Sequence, residues 1–191
     1  MSSATASPEP ATKNLAIVYG DIAGTSELTI AEGDLAIANI LKAFFDRVGH
    51  LAHIHHSLTL KFIGDAFLAS FENIEDTMPF IDSVQGLLSQ EKAFFGRNLA
   101  FKFSLHLGEA VYMQTSYGPD VFGENVNIAA QLNEPAERHQ LIVSQAALDK
   151  LPEHLRARAG ASEALPRRRE PNPVQFRRIE ILLPELPHDG G

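Results

Sequence analysis

Two hydrophobic periods run along the chain: short continuous or alternating apolar runs, and longer stretches in which apolar residues return every three or four positions. The first period predicts strands and the second helices. Leu15 to Tyr19 is an apolar run of strand length. Leu35, Ala38, Leu41, Phe44, Phe45 and Val48 predict a helix from Gly33 to about His53, and Met78, Ile81, Val84 and Leu88 predict another from Glu75 to about Ala93. Between them Leu58, Leu60 and Phe62 alternate with Thr59, Lys61 and Ile63, and the chain turns at Gly64-Asp65 before resuming with Phe67 to Phe71. Glycine followed by any residue between two strand-like runs is a hairpin signal, so Asp65 is expected at a hairpin tip. Phe101 to Leu107 and Ala110 to Met113 read as a hairpin pair of strands. A helix through Val126, Ala129, Ala130 and Leu132 and a strand at Leu141 to Ser144 follow. Strand, helix, paired strands, helix and strand make an α+β pattern, with no internal repeat.

The ends carry no such periods. Residues 1–13, rich in Ser, Ala, Pro and Glu, are expected to be a disordered lead-in, and 183–191, interrupted by Pro184 and Pro187, a flexible tail. One domain over 14–182 remains. With 191 residues, 45% of them hydrophobic and 21% charged, the chain suffices for one sizeable core. The absence of cysteine excludes disulfides and thiolate metal sites. A net charge of −8 argues against nucleic-acid binding and against an anionic membrane surface. No apolar run approaches the roughly 18 residues of a membrane span, and the start lacks a basic-then-apolar signal, so a cytoplasmic protein is expected.

Chemistry gathers at three places. Asp21 closes the Leu15 strand and is followed by the bend Ala23-Gly24-Thr25-Ser26. Such a bend lets backbone N–H groups approach phosphate oxygens, and a following helix N-terminus favours their charge. If the Asp65 hairpin pairs with this strand, two carboxylates converge in the hard-oxygen setting that Mg²⁺ accepts. Taken singly, Asp21 as a helix cap and Asp65 as a turn residue are the ordinary readings. In the third place, Asn127 and Gln131, four apart, share a helix face distinct from the apolar one. Asn is a poor mid-helix residue, so its presence asks for a role. His50, His53, His55 and His56 show no repeated ligand spacing on one element and are expected to be solvated loop or interface residues.

Gly20-Asp21-Ile22-Ala23-Gly24, Lys61-Phe62-Ile63-Gly64-Asp65, and Asp120-Val121-Phe122-Gly123 with Asn125-Val126-Asn127 together resemble the class III nucleotidyl cyclases, the adenylate and guanylate cyclase catalytic domain. Order and spacing agree from about Leu15 to Phe176, including the Gly-containing strand Ser104 to Glu109. The resemblance implies a ferredoxin-like antiparallel sheet core with added helices. It implies a nucleoside triphosphate substrate, ATP foremost, closed to a 3′,5′-cyclic nucleotide and pyrophosphate. By the same resemblance Asp21 and Asp65, with the Ile22 carbonyl, hold two Mg²⁺ or Mn²⁺ ions, and Gly24, Thr25 and Ser26 lie beside the phosphates. Lys61 and Asp120 match the base-reading positions in their adenine version, and Asn127 the residue that orients the ribose. A homodimer is implied, in which the metal-binding Asp residues of one chain face the base and ribose residues of its partner.

The chain departs from the family at Gln131, where an Arg steadies the transferring phosphate. An amide brings two neutral donors in place of a charged fork, and losing one positioned donor costs about 3–4 kcal/mol in the transition state. Arg138 and the run Arg167-Arg168-Arg169 are candidates to substitute, with Arg168 favoured by counting back from Pro173. Thr25 and Ser26 also stand where Phe and Thr are usual. Two other readings stay open: an idle nucleotide-binding or regulatory module, and a cyclase for another base such as a pyrimidine.

Overall fold

The computed structural model describes residues 9–90, 94, 97–167 and 172–181. Its first strand, β1 (Ala11–Ala23), is central, and Leu15 to Val18 are all buried because both faces of the sheet are covered. Helices α1 (Thr25–Glu32) and α2 (Asp34–Ile54) follow, then the hairpin of β2 (Thr59–Ile63) and β3 (Ala66–Phe71), a single 3₁₀ turn and helix α3 (Thr77–Gln90). Strands β4 (Ala100–Thr115) and β5 (Gly118–Phe122), helix α4 (Glu124–Asn133) and strand β6 (Gln140–Ser144) come next. Short helices α5 (Gln145–Leu148) and α6 (Glu153–Arg156) and strands β7 (Glu163–Leu165) and β8 (Val174–Glu180) complete the order.

The sheet runs β2-β3-β1-β4-β6-β8-β7, with β5 also paired to β4. Its β2-β3-β1-β4 part is antiparallel throughout and, with the helices between β1 and β2 and between β3 and β4, is a ferredoxin-like unit. The β4 to β6 pair is parallel and needs a crossover, which β5 and α4 provide. One face of the sheet carries α2 and α3: Ile37, Ile40, Phe44 and Val48 meet Phe80, Ile81 and Val84 over Phe67, Phe101 and Phe103. The Phe44 and Phe101 rings stack at 5.5 Å, and Phe67 meets Phe80 edge-on at 5.6 Å. The opposite face carries α4, through Val126 and Ala129 on Leu15, Ile17 and Leu68 and through Ile128 and Leu132 on Ile142 and Phe176.

Two expectations change. The expected hairpin over residues 101–113 is one continuous strand, β4, because β1 pairs with it from Ala23↔Ala100 to Ala11↔Tyr112 and leaves no room for a turn. Its hairpin partner is β5. The same length of β4 draws Ala11 to Lys13, expected in the lead-in, into β1. The expected tail at 183–191 lies outside the described residues. Helix α2 runs on to Ile54, so His50 and His53 stand exposed on the helix instead of in a loop. No helix among the described residues is long and apolar enough to cross a membrane.

Candidate active site

Gly20 brings the first carboxylate to its place. It faces Phe67 across the β1–β3 ladder, and a Cβ there would stand 2.3 Å from Phe67 Cε1, so only glycine lets the buried ring cross the strand. Asp21 follows, on the α4 side of the sheet and opposite Ala66. Gly64, with φ of 64°, makes the tight turn that puts Asp65 immediately before Ala66. The hairpin tip thus returns Asp65 to the end of β1. The Thr25 hydroxyl ties the hairpin tip to the Ile22 end of β1, donating to Asp65 Oδ2 and lying 3.4 Å from Ile22 O. Tyr19 senses both acids: burial first, then the fields of Asp21 and Asp65, push its hydroxyl pKa up.

Between Asp21 and Thr25 the chain bends through Gly24 at φ of 102°. A Cβ on Gly24 would lie 2.4 Å from Asn98 O, so conformation and space both demand glycine. The bend leads into α1, whose first N–H groups have no partner within the helix. Among the described residues no three His, Cys, Asp or Glu side chains gather as a metal cage. Two carboxylates and the Ile22 carbonyl are a hard-oxygen set that fits Mg²⁺ or Mn²⁺ completed by water and substrate phosphates. Lys102, opposite Asp21 in the β1–β4 ladder, places Nζ 2.8 Å from Asp21 Oδ2. Sequence reading missed it because register with β1 alone reveals this neighbour.

Lys61 and Asp120, 59 residues apart, are brought together where β2 lies against β5. Lys61 Nζ donates to Asp120 Oδ1 at 2.6 Å and to Val121 O at 3.1 Å, and Val121 N donates to the same Oδ1 at 2.7 Å. Both side chains stay partly exposed, which leaves a Lys donor and Asp120 Oδ2 to meet a ligand.

Asn127 and Gln131 project from the exposed side of α4 into a cleft of about 570 Å³, together with Ile128, Glu134 and the segment Leu165 to Arg167. Arg167 forms an ion pair with Glu124 across its mouth. Neither the Asp21–Asp65 pair nor the Lys61–Asp120 pair lines this cleft. Arg138 does not line this cleft; it sends both Nη atoms to Asn98 O at 3.1 and 2.9 Å, with Nη2 beside the Gly24 bend. Arg168 lies outside the described residues. Ser26 is exposed at the start of α1. Of the four clustered histidines, His55 bonds Ser83 Oγ at 2.9 Å and packs edge-on against Phe80; burial holds its pKa below the ordinary range.

Residues 8–164 match the profile of the adenylate and guanylate cyclase catalytic domain. Among solved structures the chain is similar to the adenylyl cyclase CyaB from P. aeruginosa, at 16% identity and TM-score 0.74 over 92% of this chain and 98% of that one. It is similar to the guanylyl cyclase Cya2, at 16% identity and TM-score 0.76 over 95% and 98%. It is also similar to the dimeric guanylyl cyclase domain of the RhoGC fusion protein from the aquatic fungus Blastocladiella emersonii, at 13% identity and TM-score 0.69 over 90% and 98%. No curated protein matches by sequence.

Proposed function

The chain belongs to the adenylate and guanylate cyclase catalytic domain family, and we propose that it is a metal-dependent nucleotidyl cyclase acting on a nucleoside triphosphate, ATP foremost, between two copies of the chain. The observation that carries this reading is that the β2–β3 turn returns Asp65 to the strand end that bears Asp21, with Thr25 bonded to Asp65, beside the left-handed Gly24 bend. In the reaction the ribose 3′-oxygen bonds to the α-phosphorus, the bond to the pyrophosphate oxygen breaks, and the 3′-hydroxyl loses its proton. Two Mg²⁺ or Mn²⁺ ions at Asp21, Asp65 and the Ile22 carbonyl would favour the alkoxide and offset phosphate charge.

The chain's own residues supply position. The bend and the α1 N-terminus receive phosphate oxygens, and Lys102 offers a cation to them. Lys61 and Asp120 present one donor beside one acceptor, which suits the ring nitrogen and amino group of adenine. Cytosine carries the same neighbouring pair, which keeps the pyrimidine reading in the assay. Asn127 orients the ribose from α4. Among the described candidates to serve in place of the arginine absent at 131, Arg167 lines the Gln131 cleft, whereas Arg138 directs its fork to Asn98 O. That the Asn127 cleft holds neither carboxylate of the Asp pair supports a site completed by a second chain.

Purified protein is incubated with ATP, GTP, CTP and UTP in turn with Mn²⁺, and products are identified by mass. A cyclic product is expected, absent from Asp21→Asn and Asp65→Asn. Mixing Asp65→Asn with Asn127→Ala chains should restore activity, because the heterodimer contains one site free of both substitutions. Undiminished turnover in both Asn variants would remove the metal site, and full activity from a strict monomer would remove the shared site. The Gln131 amide favours one second reading, an idle module, which predicts nucleotide binding without product from the wild type, Gln131→Arg and every arginine variant.

A further inference from the structure

Helix α4 lies antiparallel along β4, and alternate residues of the strand are bonded to it one helical turn apart. Lys102 O accepts from Asn133 Nδ2 at 3.1 Å, Ser104 Oγ donates to Ala129 O at 2.5 Å, and His106 Nε2 meets Asn125 Oδ1 at 2.8 Å. Two strand residues advance about 6.7 Å and four helix residues about 6.0 Å, so the two elements keep step over these rungs. Ser104, His106 and Asn133 are all buried. At the last rung Asn125 Nδ2 also donates to Glu109 O at 2.8 Å, and its side chain covers Gly108, where a Cβ would lie 2.5 Å from Asn125 Cγ.

That arrangement sets the protonation of His106. With Nδ2 committed to Glu109 O, Asn125 Oδ1 can only accept, so the His106 proton sits on Nε2. His106 is 6% exposed and its Nδ1 is buried with no hydrogen-bond partner. A second proton would bury an unpaired N–H and a charge together. Facing the ring are apolar Ile17 from β1, Asn125 from α4 and, as the charge whose field reaches it, Arg167 after β7. Burial lowers the His106 pKa and Arg167 adds to the effect, against the Asn125 bond.

Asn127 is two residues from Asn125 and Gln131 two from Ala129, about 200° round the helix. A ladder that pins the inner face of α4 therefore sets the angle at which Asn127 and Gln131 enter the cleft. We propose that the His106–Asn125 contact is a positioning pair that fixes the height and rotation of α4, and with it Asn127, while the imidazole is neutral. The catalytic consequence rests on the cyclase reading; the geometric one does not.

The test uses the full chain with Asn125→Ala, His106→Ala and His106→Gln, the last retaining a side-chain donor that cannot take a charge. Asn125→Ala and His106→Ala should lower kcat about tenfold with KM within about twofold, since misplacement of an orienting group acts on the rate. His106→Gln should keep most of kcat at pH 8 and remove an acid limb seen in the wild type. An unchanged acid limb in His106→Gln, or an unchanged kcat in Asn125→Ala, overturns the proposal. NMR supplies a readout free of turnover: the Asn127 backbone amide shift should follow the His106 imidazole titration in the wild type. An Asn127 amide indifferent to that titration overturns the pair even in an active enzyme. A wild type without product whose Asn127 amide does follow it sinks the cyclase reading and leaves the pair standing.

Discussion

Gly108→Ala is a small change with a calculable consequence. The new Cβ would lie 2.5 Å from Asn125 Cγ, 2.7 Å from Oδ1 and 2.8 Å from Nδ2, so the side chain cannot remain where it is. Asn125 has somewhere to go, because it is only partly buried, and swinging into water relieves the clash. What is lost is then the bond to Glu109 O and the partner of His106 Nε2. Glu109 is exposed and its carbonyl can turn to water, whereas His106 is buried and would carry two unsatisfied nitrogens. A buried polar group left without a partner costs about 1–3 kcal/mol, so Gly108→Ala should destabilise by roughly 2 kcal/mol. For a chain of this size that lowers Tm by about 4–8 °C. Asn125→Ala removes the same bonds without a clash and should cost about the same. The double variant should cost little more than either single one, giving a coupling of at least about 1 kcal/mol. Urea denaturation of the four proteins, read by circular dichroism at pH 8, measures all corners of the cycle. Additive costs would show that alanine at 108 strains the backbone independently of Asn125, and the lock over Gly108 would be refuted.

The other predictions concern separate parts of the molecule. Gln131→Arg should raise turnover about tenfold, about 1.4 kcal/mol of transition-state stabilisation, with KM little changed; Arg167→Ala should lower it. Steady-state kinetics showing Arg167→Ala neutral would return the phosphate role to Arg138 or Arg168. His55, His106 and His139 all have pKa values pushed by burial below the ordinary 6.5. The unfolded chain then binds more protons than the folded one, so stability is full above about pH 6.5 and lost as pH falls below it toward the folded values. A urea midpoint that does not fall between pH 8 and pH 5.5 would contradict this. Gly20→Ala should cost about 1–3 kcal/mol by driving a Cβ into the fully buried Phe67 ring; a Tm within 1 °C of wild type would show that the ring has room to give.

Much of the arrangement follows from signals a few residues long. Gly64-Asp65 between two strand-like runs places a carboxylate at a hairpin tip, and Asp21 before Ala23-Gly24 places one at a strand exit, because turn chemistry and apolar period are properties of the local chain. The spacing of Leu35, Ala38, Leu41, Phe44, Phe45 and Val48 finds α2 in the same way, but the packed sheet selects its inner face, burying Ile37 and Ile40 and leaving Leu35 and Ala38 exposed. The unity of β4 is not local: Gly108 resembles a turn residue, yet it is there to seat Asn125, and 13 residues of β1 hold the strand straight. Lys102 beside Asp21, Lys61 beside Asp120 and Arg167 in the Gln131 cleft depend on register and crossing between elements tens of residues apart. The ladder from Lys102 to His106 depends on how α4 rotates as it packs on the sheet. Residue order along one strand or helix determines which face a side chain takes, but only the packed core selects the neighbour that face meets.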